Sequence, residues 1–344
     1  MIRQLLNTLF VQTQGAYLRL DHETLKLEVE REVKLQAPLH HLGGMVLFGN
    51  VLVSPFLLHR FAEDGRSVVW LTATGRFKGR LAGPTSGNVL LRRAQYEALN
   101  HPDRVCNIAR SIVAGKVRNT RSIVQRAARE ADSQEDKALL AQTARELGFV
   151  LKALPHSNGL PETRGLEGQA GRVYFDTFSR MVRADRKEYA FSGRNRRPPR
   201  DRINALLSFV YSLVLSDCVS ACEGVGLDPQ FGYLHALRSG RPSLALDLME
   251  ELRPILADRL VLSLVNRRQL RPKDFDERTG GAVYLNDTGR KTVLVTYQKR
   301  KQEEVEHPVL GQKIPLGLIP HVQARLLARN LRGDAELYVP FTPR

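Results

Sequence analysis

Two carboxylates three residues apart, Asp247 and Glu250, are the first candidates for chemistry in this 344-residue chain. That spacing places both on one face of a helix. The surrounding residues are mostly apolar, so we expect the helix to be largely buried. Buried carboxylates are costly unless a cation or a proton compensates their charge, and a hard divalent metal ion would do so. The alternative is a surface helix whose acids meet solvent or one of the many arginines.

Two further candidates lie earlier in the chain. Glu167 stands among Gly165, Gly168 and Gly171, each of which lowers helix stability by roughly 1 kcal/mol relative to Ala. This pattern predicts close approach of a helix backbone to another group, and tight helix packing is the simpler explanation. His235 lies in a turn-rich stretch shortly before the acidic pair. A lone His is more often structural, but imidazole beside carboxylates suits Mg²⁺ or Mn²⁺, with a slight preference for Mn²⁺.

The charge of the chain points to a polyanionic partner. Lys and Arg total 52 against 36 Asp and Glu, which gives a formal net charge of +16. Nucleic acid is the obvious partner, because cationic side chains gain from neutralising phosphates. A basic loop at 184–201 lies between Glu167 and His235 and carries aromatic residues that could stack on bases, although it could also be merely solvated. The arginines predicted to contact DNA are Arg194, Arg196, Arg197, Arg200, Arg238 and Arg241.

The hydropathy pattern divides the chain into two parts. Period-two alternation at 17–20 and 25–29 predicts a β-hairpin, and more short strands are predicted up to about residue 81. From about Arg92 the period becomes helical, with a long helix predicted from about Asp201 to Glu223. We therefore predict an α+β fold with a small β-rich, sandwich-like domain at 1–85 and a larger all-α domain at 86–344.

Several protein classes are disfavoured. The three cysteines lack the paired spacing of a disulfide framework or a zinc site. The first fifteen residues do not resemble a signal peptide, and no apolar run approaches the roughly 20 residues that cross a bilayer. The sequence predicts a cytoplasmic protein with no membrane partner.

Separate motifs in the right order give the chain a family resemblance over nearly its whole length. They are the stretch GLEGQAG at 165–171 with Tyr174, the helix at 204–211 with Tyr211, the stretch GYLH at 232–235, the stretch RPSLALDLMEELRP at 241–254, and the tail at 338–341. Together these resemble the CRISPR-associated spacer-acquisition integrases, the universal "Cas-one" family. The opening half is most similar to the branch that accompanies type I-C systems.

The resemblance implies a role for each candidate. Glu167, His235 and Glu250 would be the ligands of Mg²⁺ or Mn²⁺, with Asp247 as a supporting acid of the catalytic site. Many relatives have Asp where this chain has Glu250, which leaves the metal geometry open. The implied reaction is attack by the 3′-hydroxyl of a short DNA fragment on a phosphodiester of a CRISPR repeat, with nuclease activity when water replaces the hydroxyl.

The resemblance also implies an assembly. It consists of a homodimer formed through the β domain, and a heterohexamer in which a small adaptation partner protein bridges two dimers on double-stranded DNA. Two other hypotheses stay open at this point. One is a DNA-binding scaffold without catalytic activity, and the other is a hydrolase of a small phosphorylated substrate, which the charge of +16 disfavours.

Overall fold

The computed structural model describes residues 8–75, 77–81, 83, 89–195 and 198–343. The chain forms two compact units, Met1–Gly87 and Asn88–Arg344. The fold class predicted from the sequence is confirmed: a β-rich unit precedes a mostly helical one.

The first unit contains two four-stranded sheets. Its strands are β1 (Thr8–Val11), β2 (Ala16–Asp21), β3 (Thr24–Val29), β4 (Glu32–Pro38), β5 (Gly44–Phe48), β6 (Val51–Val53), β7 (Ser67–Leu71) and β8 (Phe77–Arg80). The sheet orders are β1-β5-β7-β8 and β4-β3-β2-β6. The predicted hairpin is confirmed, since β2 and β3 pair antiparallel with Leu18 opposite Leu27 and Leu20 opposite Leu25.

The sheets also contain parallel pairs that the hairpin pattern did not predict. β1 and β7 both run parallel to β5, and β6 runs parallel to β2. Parallel neighbours require a crossover connection, and the helix α1 (Pro55–Glu63) lies between β6 and β7 in the chain. Ser54 followed by Pro55 predicts the start of a helix, since serine is a preferred cap and proline a preferred first residue. The structure confirms it: α1 begins after Ser54, whose hydroxyl accepts a hydrogen bond from the backbone N–H of Leu57. Both sheets and α1 contribute to one apolar core.

The second unit is built from helices. They are α2 (Val89–Ala98), α3 (Pro102–Glu130), α4 (Gln134–Ala153), α5 (Gly159–Thr177), α6 (Arg202–Val225), α7 (Ser243–Leu252), α8 (Arg259–Asn266), α9 (Asp287–Gln302) and α10 (Ile319–Arg332). The unit also has two antiparallel hairpins, so the prediction that this domain is all-α is wrong in this respect. They are formed by β9 (Phe275–Arg278) with β10 (Ala282–Leu285), and by β11 (Glu304–His307) with β12 (Gln312–Pro315).

The helix α6 is the most apolar helix of this unit's core. Gly224 and Gly226 predict the end of this helix, and the structure confirms it, because α6 ends at Gly226, which adopts a left-handed conformation with φ of 91°. By length and composition alone α6 could cross a bilayer, which the sequence analysis did not recognise. However, 61% of its apolar window is buried inside the protein, as in the core helix of a soluble domain.

A π-helical segment interrupts the helix that carries the acidic pair. α7 ends at Leu252, and the wider turns Arg253–Asp258 follow before α8 begins. A proline four residues after Glu250 predicts an irregular helix at this point, because Pro254 cannot donate a hydrogen bond to the Glu250 carbonyl. The π-helical turns confirm this prediction. A serine at position 243, after Pro242, predicts a cap for this helix. The prediction is wrong, since the Ser243 hydroxyl donates to the carbonyl of Ala236 at 3.0 Å and makes no capping hydrogen bond.

Candidate active site

Asp247 is fully buried at the base of the candidate site and is committed to the loop that precedes α7. Its carboxylate accepts hydrogen bonds from the backbone N–H groups of Tyr233 at 2.5 Å, Leu234 at 2.9 Å and His235 at 2.9 Å. These donors compensate the charge of a carboxylate that has no exposed surface. Asp247 therefore fixes the shape of the loop and does not face solvent.

The same carboxylate orients the imidazole of His235. Asp247 Oδ1 lies 2.7 Å from His235 Nδ1, and a carboxylate oxygen is an acceptor, so this contact selects the tautomer with a proton on Nδ1. In that tautomer the lone pair is on Nε2, which lies 3.6 Å from Glu250 Oε1, beyond hydrogen-bond distance. This carboxylate–histidine pair is the arrangement that prepares an imidazole to bind a metal ion.

Glu250 is a buried carboxylate surrounded by cations. Lys116 Nζ lies 2.7 Å from its Oε2, and Arg253 Nη1 lies 3.2 Å from its Oε1. Burial opposes ionisation of Glu250, but Arg253, Lys116 and His235 together lower its pKa to about 2. The burial predicted for this acid is confirmed. Its neighbouring cations in the structure are the side chains of Lys116 and Arg253, and the metal ion expected from the sequence stays a prediction.

Glu167 reaches the same group of side chains from α5. One of its carboxylate oxygens, Oε1, accepts a hydrogen bond from Lys116 Nζ, so a single ammonium contacts both Glu167 and Glu250. The tight packing predicted for the glycines of α5 is wrong. A Cβ atom at Gly165, Gly168 or Gly171 would meet no atom within 4 Å, so this helix face is open.

The donor set fits a divalent cation, although the side chains are not arranged as a finished metal cage. Among the residues that the structure describes, no group of three His, Cys, Asp or Glu side chains lies close enough to hold a metal ion. Two carboxylates converge instead on the Lys116 ammonium, and the buried Glu250 Oε2 accepts no well-formed hydrogen bond. Glu167, Glu250 and the free Nε2 of His235 are hard and borderline donors of the kind that Mg²⁺ and Mn²⁺ accept.

Tyr174 and Tyr211 lie behind this centre and share one acceptor. Their hydroxyl groups donate to opposite oxygens of Asp258, at 3.0 and 2.6 Å. Burial raises the pKa of both phenols well above the ordinary value, so neither is prepared to act as a nucleophile. The Tyr211 ring also contacts the guanidinium groups of Arg194 and Arg253, at 5.3 and 5.0 Å from its centroid, which links the basic loop to the site.

The arginines predicted to contact DNA lie in different settings. Arg194 already donates hydrogen bonds to the side chains of Asn204 and Ser208, at 2.6 and 3.1 Å. Arg200 and Arg238 are exposed, and Arg241 is partly exposed. Arg196 and Arg197 lie outside the described residues.

The sequence analysis gave no role to two residues that shape the site, Lys116 and Gly232. Lys116 carries no recognisable signal in a chain with 52 Lys and Arg residues. Gly232 was noticed only within a motif, yet a Cβ there would lie 2.6 Å from the backbone carbon of Ser243 and 2.7 Å from Asp247 Oδ2. Only glycine lets this loop lie against the start of α7.

Gly232→Ala is therefore expected to destabilise the second unit by about 3 kcal/mol, because the clash is with backbone that cannot move aside. Thermal unfolding would measure the effect. The control is Gly165→Ala, where the added methyl meets open space on α5 and should slightly stabilise the helix. Equal melting temperatures for the two variants would contradict the prediction.

Comparison with known proteins identifies the family. The model of the family "CRISPR associated protein Cas1" matches residues 9–299. This chain belongs to the Cas1 family. It is 61% identical over 340 residues to a CRISPR-associated endonuclease Cas1 of Moorella thermoacetica, with 99% of both chains covered. A Cas1 endonuclease of Rhodospirillum rubrum is 49% identical over 344 residues, also with 99% of both chains covered. The family predicted from the sequence is confirmed.

Solved structures agree with this assignment. A Cas1 protein from Thermotoga maritima superposes with a TM-score of 0.81 at 25% identity, covering 95% of this chain and 97% of that one. A casposase bound to its integration product gives a TM-score of 0.82 at 22% identity, covering 97% and 92%. This second likeness, at an identity below 25%, shows a shared fold.

Proposed function

We propose that this chain is a metal-dependent DNA integrase and endonuclease that inserts short DNA fragments into a CRISPR array. The observation that carries the proposal is the convergence of Glu167 and Glu250 on a single cation, beside an imidazole that Asp247 orients. Burying charged groups lowers the stability of a fold, and a DNA-binding scaffold without activity has no use for two such carboxylates beside an oriented histidine.

The proposed reaction is a transesterification. The 3′-hydroxyl oxygen of a DNA fragment attacks the phosphorus of a phosphodiester at the repeat, and the bond from phosphorus to the leaving 3′ oxygen breaks. The attacking oxygen belongs to DNA, so no Ser, Cys or Tyr of the protein has to form a bond. With water as the attacking group, the same site would hydrolyse the strand.

Glu167, His235 and Glu250 would hold the metal ion. A divalent ion bound there supplies Lewis-acid withdrawal of charge from the phosphate. Asp247 keeps the Nε2 lone pair of His235 turned toward the site. Arg253, held between Glu250 and the Tyr211 ring, fixes the orientation of the Glu250 carboxylate.

The charge of the chain and its structural relatives support the proposed partners. The net charge of +16 favours binding to DNA. Among the predicted DNA-binding arginines that the structure describes, Arg200 and Arg238 are exposed and Arg241 is partly exposed, so these three could contact DNA phosphates. We propose a homodimer formed through the β-rich unit, and a heterohexamer with a small adaptation partner, in the cytoplasm. Structural relatives of this chain include a Cas1 in a Cas6-RT-Cas1–Cas2 complex and a Cas1–DNA complex. We also propose that the chain belongs to the type I-C branch, on the resemblance of its opening half.

A strand-transfer assay tests the function. The full-length protein is incubated with labelled duplex fragments and a plasmid that contains a repeat, with and without the adaptation partner. We expect joined products in Mg²⁺ or Mn²⁺, none in EDTA, and none when the fragment ends lack the 3′-hydroxyl. DNA binding without joining or cleavage in either metal, with the partner present, would favour the scaffold instead.

A further inference from the structure

We propose that Lys116 is an internal counter-ion of the metal centre, whose ammonium bridges Glu167 and Glu250 in the metal-free protein and withdraws when a divalent cation binds. This inference rests on the proposed function, because it concerns the same carboxylates. It assigns to Lys116 a positioning role that controls how readily the centre is loaded.

The position of the ammonium carries the proposal. Lys116 Nζ is hydrogen-bonded to Glu167 Oε1 and lies 2.7 Å from Glu250 Oε2, so it occupies the space where the two carboxylates could share an ion. The lysine side chain is only 14% exposed. A metal ion cannot contact both of these oxygens while the ammonium lies between them.

The balance of charge explains why the lysine would leave. Glu167 and Glu250 contribute two negative charges, and Lys116 and Arg253 contribute two positive charges. The metal-free group is therefore neutral, which is the favourable state for partly buried ions. A divalent cation would add two positive charges at short range, and loss of Lys116 from the group is the smallest change that relieves the repulsion.

The backbone around Lys116 is fixed, so the exchange has to be a movement of its side chain. A Cβ at the neighbouring Gly115 would lie 2.6 Å from Cβ of Pro340 and 3.2 Å from Cβ of Glu251. The side-chain amide of Asn119 donates to the carbonyls of Glu251 and Phe341, each at 2.8 Å. These contacts hold α3 against α7 and the C-terminal segment. The long lysine side chain can still rotate toward the exposed edge of the site, where 29% of the Glu167 side chain is accessible.

Metal affinity is the first test. Mn²⁺ binding to the full-length protein is measured by electron paramagnetic resonance, without DNA, for wild type and Lys116→Met. We expect the variant to bind Mn²⁺ at least roughly tenfold more tightly, because Mn²⁺ no longer has to displace the Lys116 ammonium. Tenfold corresponds to about 1.4 kcal/mol of binding free energy. Without metal, Lys116→Met should also unfold at a lower temperature than wild type, and Mn²⁺ should raise its unfolding temperature back to the wild-type value. Lys313→Met, an exposed position on β12, serves as the matched control and should change neither quantity.

Lysine reactivity in the wild-type protein is the second test, and it needs no variant to fold. Acylation of Lys116 by a small activated ester, followed by mass spectrometry, should be slow in the metal-free protein and faster in saturating Mn²⁺. The exposed Lys313 should react equally in both states. Lys116→Gln provides a second variant for the affinity measurement if the methionine variant does not fold.

The outcomes separate this proposal from the proposed function. If wild type binds Mn²⁺ but Lys116→Met binds it no more tightly, or if Lys116 is equally protected with and without Mn²⁺, the counter-ion role is overturned and the integrase proposal stands. If neither protein binds Mn²⁺, the metal-dependent function fails together with it.

Discussion

Glu250→Gln is expected to lower the rate of strand transfer roughly a thousandfold while leaving the affinity for DNA nearly unchanged, because a bound metal ion contributes several kcal/mol of transition-state stabilisation. Glutamine keeps the length and shape of the side chain but loses the charge that holds Lys116, Arg253 and the proposed metal ion. The carboxylate is 2% exposed and its pKa is lowered to about 2, so wild type keeps this charge throughout the working pH range.

The measurement is the initial rate of joining of labelled fragments in Mg²⁺ and in Mn²⁺, together with DNA binding by gel shift. Glu304→Gln is the matched control, since Glu304 is an exposed glutamate on β11. Circular dichroism and thermal unfolding would show that the variant is folded. A Glu250→Gln protein with the joining rate of the control would refute the assignment of Glu250 as a metal ligand.

Asp247→Asn is expected to lower strand transfer about 10- to 100-fold, the usual effect of removing a carboxylate that orients a metal-binding histidine. Asparagine has one acceptor oxygen in place of two. Its amide nitrogen would therefore face either the backbone N–H groups of Tyr233 and Leu234, or the backbone N–H and Nδ1 of His235. Two donors lose their acceptor in either orientation, and in the second the imidazole also loses the contact that selects its tautomer.

Nitrogen chemical shifts of the His235 ring would report the tautomer directly, and Mn²⁺ titration would report the affinity of the centre. The exposed Asp276 on β9 offers the control variant Asp276→Asn. A shift of the His235 ring away from the Nδ1-protonated form, with weaker Mn²⁺ binding, is the signature of a positioning role. An Asp247→Asn protein that is merely less stable, with an unchanged tautomer and Mn²⁺ affinity, would show that Asp247 acts only on the fold.

The sequence alone determined features that depend on neighbours along the chain. The hairpin of β2 and β3 follows from period-two alternation, and the start of α1 follows from Ser54 followed by a proline. The helical unit follows from the change of period after the first unit. The irregularity after α7 follows from the missing N–H of Pro254. The motifs also identified the family correctly, since they are short segments whose order can be read without coordinates.

Only the tertiary structure distinguished between residues that look alike in sequence. Asp247 and Glu250 are both acidic residues on one helix face. Yet the Asp247 carboxylate accepts hydrogen bonds from the backbone of the preceding loop, whereas the Glu250 carboxylate forms ion pairs with Lys116 and Arg253. The parallel strand pairs and the contact of Lys116 with Glu167, 51 residues away, join segments that no local pattern connects. The open face of the α5 glycines was likewise invisible, because glycine spacing is the same whether a helix packs or faces space. Local propensities act within a few residues, whereas the pairing of buried charges is set by which distant elements the core brings together.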